Sequence, residues 1–461
     1  MSDSSGTGLF GALFDRGAVD VSDEAWLQAM LDTEAALARA VERAGLAPAG
    51  SGAAVTAVAR SGLFDNGALG VAAAATGNPV PALVRALTEL LPESAAGAAG
   101  AVHRGATSQD IIDTAVMLLA RQSLDAILAD LQLAAGSCAA RASEHASTVI
   151  SGRTLLQQAV PVTFGLVAAG WLTAIDEARR DLHRIRAGRL AVQFGGAAGT
   201  LASLGDAGPT VAALLAGELG LAEPVLPWHT SRLRIIELAA ALAGACAVLG
   251  KIARDVTLLA QTEVAEAHED AGSGRGGSSA MPHKKNPVAS IVILGCARQA
   301  PGLLATLASA AEQEHQRAAG AWHSEWQPLS ALLRLTGSAT AWTVDLLAAL
   351  QIDPLRMRAN AEATNGLPQA EHLAALLTPA LGPLPAHDLL TEATRRAITE
   401  GISLSDALRT DPEAAALLSE AGFTRADIET ALRPESYLGA TPEFIRRALA
   451  AHAECDAALE A

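Results

Sequence analysis

Three observations predict an all-α protein. Apolar residues recur at helical spacing, aromatic residues are only 3% of the 461, and alternating strands closed by Asn-Gly or Asp-Gly turns are nearly absent. Leu124, Ile127, Leu128 and Leu131 fall at i, i+3, i+4 and i+7. Ile252, Val256 and Leu259 repeat the pattern beside the polar Lys251, Arg254 and Asp255. Each set places one apolar stripe along a helix. Alanine-dense windows such as Leu238–Val248 supply small side chains that let neighbouring helices approach closely. The expected architecture is three helical domains with a long central helix bundle.

Turn residues divide the chain. In residues 1–102, Gly45–Gly52 and Pro79–Pro81 break the pattern into short helices, which predicts a small N-terminal helical domain. Residues 103–350 read as longer helices interrupted at Gly195–Thr200, Pro224–Arg232 and Ala271–Pro287, a central bundle domain. Beyond Asp353-Pro354, turns return at Gly366-Leu367-Pro368, Gly382-Pro383 and Gly439–Pro442, so residues 351–461 read as a smaller C-terminal helical domain.

Composition limits the partners. With 50% hydrophobic and 18% charged residues the chain is an ordered globular protein. A net charge of −16 disfavours nucleic acid or an anionic membrane as the main partner, since both need a basic footprint. Cys138, Cys246, Cys296 and Cys455 are widely spaced without a CxxC pair, which predicts neither a disulfide framework nor a zinc knuckle. The N-terminus carries no secretory pattern, and apolar stretches such as Leu238–Gly250 read as too short to span a bilayer. A cytoplasmic protein is expected.

The run Gly276–Pro287 (GGSSAMPHKKNP) carries the strongest chemical signal. The preceding Ala-Gly-Ser-Gly-Arg stretch lets the backbone move, and Asn286-Pro287 reads as an N-cap and first helical residue, so the loop is expected to end at a positive helix terminus. Of 33 basic residues only Lys251, Lys284 and Lys285 are lysines. Two of the three lie in this run, where a compact ammonium can approach one developing negative charge. Gly105–Asp110 (GATSQD) gathers two hydroxyls at a helix start; it reads either as a second anion site or as an ordinary capping segment. Gly152–Gln158 (GRTLLQQ) sets a hydroxyl and two amides beside Arg153, able to orient a carboxylate or to satisfy buried helix ends. The clusters Pro227–Arg232 and His315–Trp326 mix histidine, arginine and tryptophan, and either could line a pocket. No HExxH or comparable spacing appears, so no metal and no cofactor is expected.

Gly277–Pro287 meets the pattern GSSxMPxKxNP throughout, with GxTSxD at Gly105–Asp110 and GRTxxQ at Gly152–Gln157 in the same order. By these residues the chain resembles the fumarase/aspartase superfamily over most of its length. Within it, the tracts Gly195–Gly199, Pro227–Thr230, Glu314-His315 and Gly320–Trp326 are most similar to bacterial 3-carboxy-cis,cis-muconate cycloisomerases. The resemblance implies a central helical bundle, a homotetramer with active sites shared between subunits, and a small polycarboxylate substrate. It assigns Ser278 as the base that removes a proton alpha to a carboxylate, and Lys284 and Asn286 as stabilisers of the resulting aci-carboxylate. Thr107, Ser108 and Thr154 are expected to hold substrate carboxylates, with Gln157, Gln158, His229, Arg232, His283 and His323 as further substrate contacts.

Two positions bear on the substrate. Leu155 stands where many amine-releasing lyases of the superfamily carry histidine. An amine leaving group needs a proton, whereas a carboxylate with pKa near about 4 departs without one. Leu155 therefore favours lactone opening and closure over adenylosuccinate or argininosuccinate cleavage. Gln158 stands where bacterial cycloisomerases tend to have histidine, and glutamine exchanges no proton near neutrality. A lyase that expels another stable anion, such as nitrite from nitrosuccinate, meets the same logic. An inactive helical scaffold is the alternative of another class; an intact Ser278, Lys284 and Asn286 argues against it.

Overall fold

The computed structural model of the protein describes residues 9–270, 276–277, 281 and 284–460. They form two compact units: Met1–Gln132, Glu177–Lys251 and Ile291–Val344 make the first, and Leu133–Asp176, Ile252–Ser290 and Asp345–Ala461 the second. Every boundary falls inside a long helix: α2 (Ser108–Glu144), α3 (Phe164–Gly188), α4 (Leu233–Leu259), α5 (Val288–Ser309) and α6 (Trp326–Ala349). The structure is predominantly helical, as the periodicity predicts.

In the first unit, α1 (Asp23–Arg43) starts at Ser22, whose hydroxyl accepts the Ala25 N–H at 3.3 Å. Asp23 and Glu24 occupy its first turn and Arg43 its last, each matching the sign of the nearer helix end. Leu27, Leu31, Leu37 and Val41 are buried along one side, while Arg39 and Arg43 both reach Glu218 at 2.8 Å. The stripe read from sequence on α2 is the buried face: Leu124, Ile127 and Leu131 are inaccessible and Leu128 is half-buried. Close approach explains Gly250, because a Cβ there would lie 2.7 Å from the Ala297 Cβ on α5. Gly250→Val is expected to destabilise the protein by about 1–3 kcal/mol through overpacking, seen as a lower midpoint in chemical denaturation.

The second unit holds the strands. β1 (Val149–Thr154) and β2 (Gln157–Thr163) form an antiparallel hairpin, and β3 (Ala267–Glu269) pairs with β4 (Leu350–Ile352). The hairpin contains the GRTLLQQ run. Thr154 pairs with Gln157, so Leu155 and Leu156 alone make the turn, with φ of 52° and 65°. Such a two-residue turn favours Asn-Gly, which is why the leucine pair carries no hairpin signal in the sequence. Ile252, Val256 and Leu259 are buried, and Arg254 is exposed, in agreement with the amphipathic reading. Further along, Leu373, Leu377, Leu390, Leu404, Leu408 and Leu418 form a core of their own.

One expectation is corrected. Helices α4 and α5 are long and apolar enough to cross a membrane by length and composition, because α4 runs past both ends of the Leu238–Gly250 window and α5 is a second apolar run of 22 residues. Burial covers 50% of the most apolar window of α4 and 33% of that of α5, so much apolar surface remains open.

Candidate active site

The first unit builds the GATSQD segment around Asp110, which is fully buried. Its carboxylate accepts the Thr107 N–H at 3.0 Å, the Gly195 N–H at 3.1 Å and the Gly196 N–H at 2.9 Å, and meets His229 Nε2 at 2.6 Å. Asp110 therefore satisfies the start of α2 and pins the Gly195–Gly199 loop above it. Gly196 has φ 68°, and a Cβ there would lie 2.8 Å from the Gly105 carbonyl, so no larger residue fits this contact. The hydroxyls of Thr107 and Ser108 have no hydrogen-bond partner among the described residues, and both residues are half-buried. Of the two readings of this segment, capping belongs to Asp110, which leaves the hydroxyls available to an anion.

A second layer lies behind it. Arg232 has 1% of its side chain exposed; Nη1 and Nη2 bind Asp113 at 2.7 and 3.0 Å, while Nε and Nη2 bind Glu325 at 3.0 and 2.5 Å. The Trp228 ring lies 4.7 Å from its guanidinium carbon. Burial opposes the charge on Arg232, but Asp113 and Glu325 outweigh it and hold its pKa above the ordinary value. Burial pushes the Glu325 carboxyl up; Arg232 counters this, and the charge of Asp113 adds to it. With every guanidinium nitrogen engaged and no access to solvent, Arg232 is a framework ion. The expectation of a substrate contact at Arg232 is corrected on that ground.

His229 is also enclosed, 4% exposed, with its carbonyl accepting from Gln109 Nε2 at 2.9 Å. Gln109 Oε1 accepts from Arg317, which also donates to the Gly196 and Ala197 carbonyls at 3.1 and 2.8 Å. His323 is exposed, its Nε2 3.1 Å from the Gly77 carbonyl, and its ring is tilted 4.8 Å from that of Trp326. A cleft of about 610 Å³ in this unit is lined by Trp26, Met30, Ile112, Trp326, Ser330 and Arg334. Of the residues that structure this site, Asp113 has no signal in the sequence, Arg317 and Glu325 fall within the His315–Trp326 polar cluster, and Asp110 is the acid three residues after Thr107, in a capping position.

In the second unit Arg153 forms a two-pronged ion pair with the fully buried Glu266, at 2.9 and 2.7 Å, and Asn360 Nδ2 donates to the same carboxylate at 2.9 Å. Gln158 Nε2 donates to the Asn360 carbonyl at 3.1 Å and its Oε1 accepts from Thr364 at 3.4 Å. These bonds anchor the base of the hairpin, while Thr154 and Gln157 stay exposed at its tip beside Leu155, 97% exposed, and Leu156, 74% exposed.

Ser278 and His283 lie outside the described residues. The flanks of their loop meet: Gly277 pairs with Lys285, Asn286 N–H donates to the Gly276 carbonyl at 2.8 Å, and Lys284 N–H donates to the Met281 carbonyl at 3.0 Å. Lys284 and Lys285 are exposed and Asn286 is half-buried. The expected N-cap at Asn286 is corrected: α5 begins at Val288, and Glu269 caps it by accepting from the Ala289 N–H at 3.0 Å, the Ser290 N–H at 3.0 Å and the Ser290 hydroxyl at 2.7 Å. The helix terminus already holds a carboxylate, so charge for a bound anion has to come from the lysines. Elsewhere in this unit, Asp176, His452 and Asp456 bring potential cation ligands within 4.8 Å of one another, and His452 itself already bridges the two carboxylates at 2.9 and 3.5 Å.

Residues 14–302 match the family described as lyase. A 3-carboxy-cis,cis-muconate cycloisomerase of Bradyrhizobium diazoefficiens is 47% identical over 427 residues, covering 93% of this chain and 94% of the relative. A nitrosuccinate lyase of Streptomyces davaonensis is 46% identical over 437 residues, covering 93% and 91%. Among solved structures, the 3-carboxy-cis,cis-muconate lactonizing enzyme of Pseudomonas putida superposes with a TM-score of 0.92 at 41% identity, covering 98% of this chain and all of that one. With matches of this extent joined to the loop signature, the chain belongs to the lyase family of the fumarase/aspartase superfamily.

Proposed function

We propose that the protein is an enzyme that interconverts 3-carboxy-cis,cis-muconate and its carboxymuconolactone. The observation that carries this reading is full-length likeness, in sequence and in structure, to enzymes named for that reaction. In the lactone-opening direction a proton alpha to a carboxylate leaves carbon, the C–O bond of the lactone breaks, and a carboxylate departs. In the reverse direction a carboxylate oxygen adds to the diene and a proton is delivered to carbon.

The site is proposed to divide this work. Ser278 takes the proton, while Lys284 and Asn286 meet the second negative charge that proton removal places on one carboxylate. Thr107, Ser108 and Thr154 hold the remaining carboxylates, with Gln157, His283 and His323 around them. Unpartnered hydroxyls at Thr107 and Ser108, and exposed ammonium groups at Lys284 and Lys285, support this division. His229 and Gln158 act behind the contact surface by holding the 195–199 loop and the hairpin.

The same reading includes a homotetramer. The open apolar surface of α4 and α5, with Leu233 57% and Ile291 53% exposed, would be covered by other copies of the chain. It also includes a cytoplasmic place in protocatechuate breakdown and the sequential division into segments 1–102, 103–350 and 351–461.

Nitrosuccinate cleavage is the second reading, favoured by 46% identity to an enzyme of that name and by a hairpin tip without histidine. Ultraviolet absorbance separates the two. Loss of the muconate band with purified protein is the expected result; fumarate appearing from nitrosuccinate instead would replace the first reading with the second. No change with either acid, nor with adenylosuccinate or argininosuccinate, would leave an inactive scaffold.

A further inference from the structure

The second unit holds a pocket of about 230 Å³ at the turn that follows the helix Pro354–Glu362. Asn365 and Gly366 make this turn with φ of 54° and 83°. The Asn365 carbonyl accepts the Leu404 N–H at 3.0 Å, which ties the turn to the start of the helix Leu404–Thr410. Glu362, Asn365, Gln369, Ser405 and Glu429 give the pocket its polar lining, and Leu432 and Pro434 give it an apolar wall. No basic side chain lines it among the described residues.

Gln369 is the residue out of place. It is 2% exposed, and its backbone N–H donates to the Gly366 carbonyl at 3.1 Å, but its side-chain amide has no hydrogen-bond partner among the described residues. A carboxamide carries one acceptor oxygen and two N–H donors, and such groups are seldom left unsatisfied when buried. Because Gln369 lines the pocket, its missing partner has to come from the pocket's contents.

The lining selects the partner by charge. Glu362 meets Arg358 at 3.0 Å and Glu429 meets Arg425 at 2.6 Å, both as exposed i, i+4 pairs, which contribute little and release a carboxylate at small cost. A polycarboxylate would face two acids with no facing cation, so this is no second substrate site. An ammonium needs acceptors alone. Glu362, Glu429 and the Gln369 carbonyl supply three, and Leu432 and Pro434 suit a short alkyl stem.

The pocket also borders the segment that anchors the hairpin. The Asn360 carbonyl accepts from Gln158 Nε2 at 3.1 Å, and the Thr364 hydroxyl donates to Gln158 Oε1 at 3.4 Å. Residues 361, 362 and 365 of the same segment line the pocket. We propose that this pocket binds a small primary ammonium ion on a short alkyl stem, held by Gln369, Glu362 and Glu429, and that its occupancy steadies the β1–β2 hairpin. The inference is independent of which acid the enzyme converts.

The test uses full-length wild type, Gln369→Met and Glu429→Lys, with thermal melts to establish that each variant is folded. Propylammonium chloride is titrated at constant ionic strength and followed by ligand-observed NMR, with glycerol as the neutral probe. Hydrogen exchange is measured with propylammonium and with potassium chloride. Wild type is expected to bind propylammonium saturably, with Kd of about 1 mM or tighter. Gln369→Met should weaken binding roughly tenfold to a hundredfold, the loss of one hydrogen bond to a charged group, and Glu429→Lys at least about tenfold through repulsion. Amide exchange should slow across residues 361–369 and 149–163 in wild type alone. Absence of saturable binding, or unchanged affinity in Gln369→Met, would show a pocket that holds only water and overturn the proposal. Glycerol binding without propylammonium binding would overturn the ligand class, as would equal slowing by potassium chloride. Saturable binding with hairpin exchange unchanged would overturn the link to β1–β2. Should Gln369→Met not fold, Glu429→Lys decides, since that position is exposed and tolerates the change.

Discussion

Ser278→Ala is expected to leave the protein folded and to lower kcat by about 10³-fold. The proton to be removed is alpha to a carboxylate and weakly acidic, and its departure concentrates two negative charges on one group. A serine oxygen is a poor base unless its surroundings are strongly positive and free of water. On the proposed reading Lys284 supplies that potential, in a chain of net charge −16. Alanine deletes one oxygen from a glycine-flanked run, so circular dichroism and the melting temperature should match wild type. A kcat within about threefold of wild type would remove Ser278 from the mechanism, since a general base is worth at least about a hundredfold. Lys284→Met tests the partner role through a fall of about 10²–10³ in kcat, the usual cost of one preorganised electrostatic contact to the developing charge.

Arg232→Leu should have the largest effect on stability, about 3–5 kcal/mol. Removing the guanidinium strands Asp113 and Glu325 together in a site with almost no solvent. Trp322 Nε1–H still donates to Asp113 at 3.0 Å and Gln313 Nε2–H to Glu325 at 2.9 Å, but neither donor carries charge. The loss is read as a shift in the urea midpoint at unchanged slope. Adding Asp113→Asn and Glu325→Gln to Arg232→Leu should recover part of it, because neutral amides can share the cavity without repulsion. A loss below about 1 kcal/mol, the range of exposed pairs, would mean that water reaches the cluster and that it is no buried framework.

The helices were legible because their signal is local. Leu124, Ile127 and Leu131 lie within two turns of one another and are the residues that become inaccessible. The GATSQD and GGSSAMPHKKNP runs were legible for a related reason: their chemistry requires particular residue types in short succession. The hairpin of residues 149–163 was not. Its turn uses Leu155-Leu156 in place of a glycine-bearing pair, and its bulge at Gly152 interrupts the alternation. The cap of α5 was misassigned to Asn286 because the residue that satisfies those N–H groups, Glu269, lies 20 residues away from Ala289 and reaches them from a strand.

By itself the sequence determined a helical protein of the fumarase/aspartase superfamily, the residue types able to hold an anion, and the lysines that would stabilise it, since periodicity and motif spacing are properties of neighbours along the chain. Tertiary structure alone decided which polar residues are buried in the framework and which keep unpartnered or exposed polar groups. Asp110 meets His229 across 119 residues and Arg153 meets Glu266 across 113, and no local pattern specifies such pairs. They form because a charge folded out of water must find an opposite charge or a donor, wherever in the chain that partner lies.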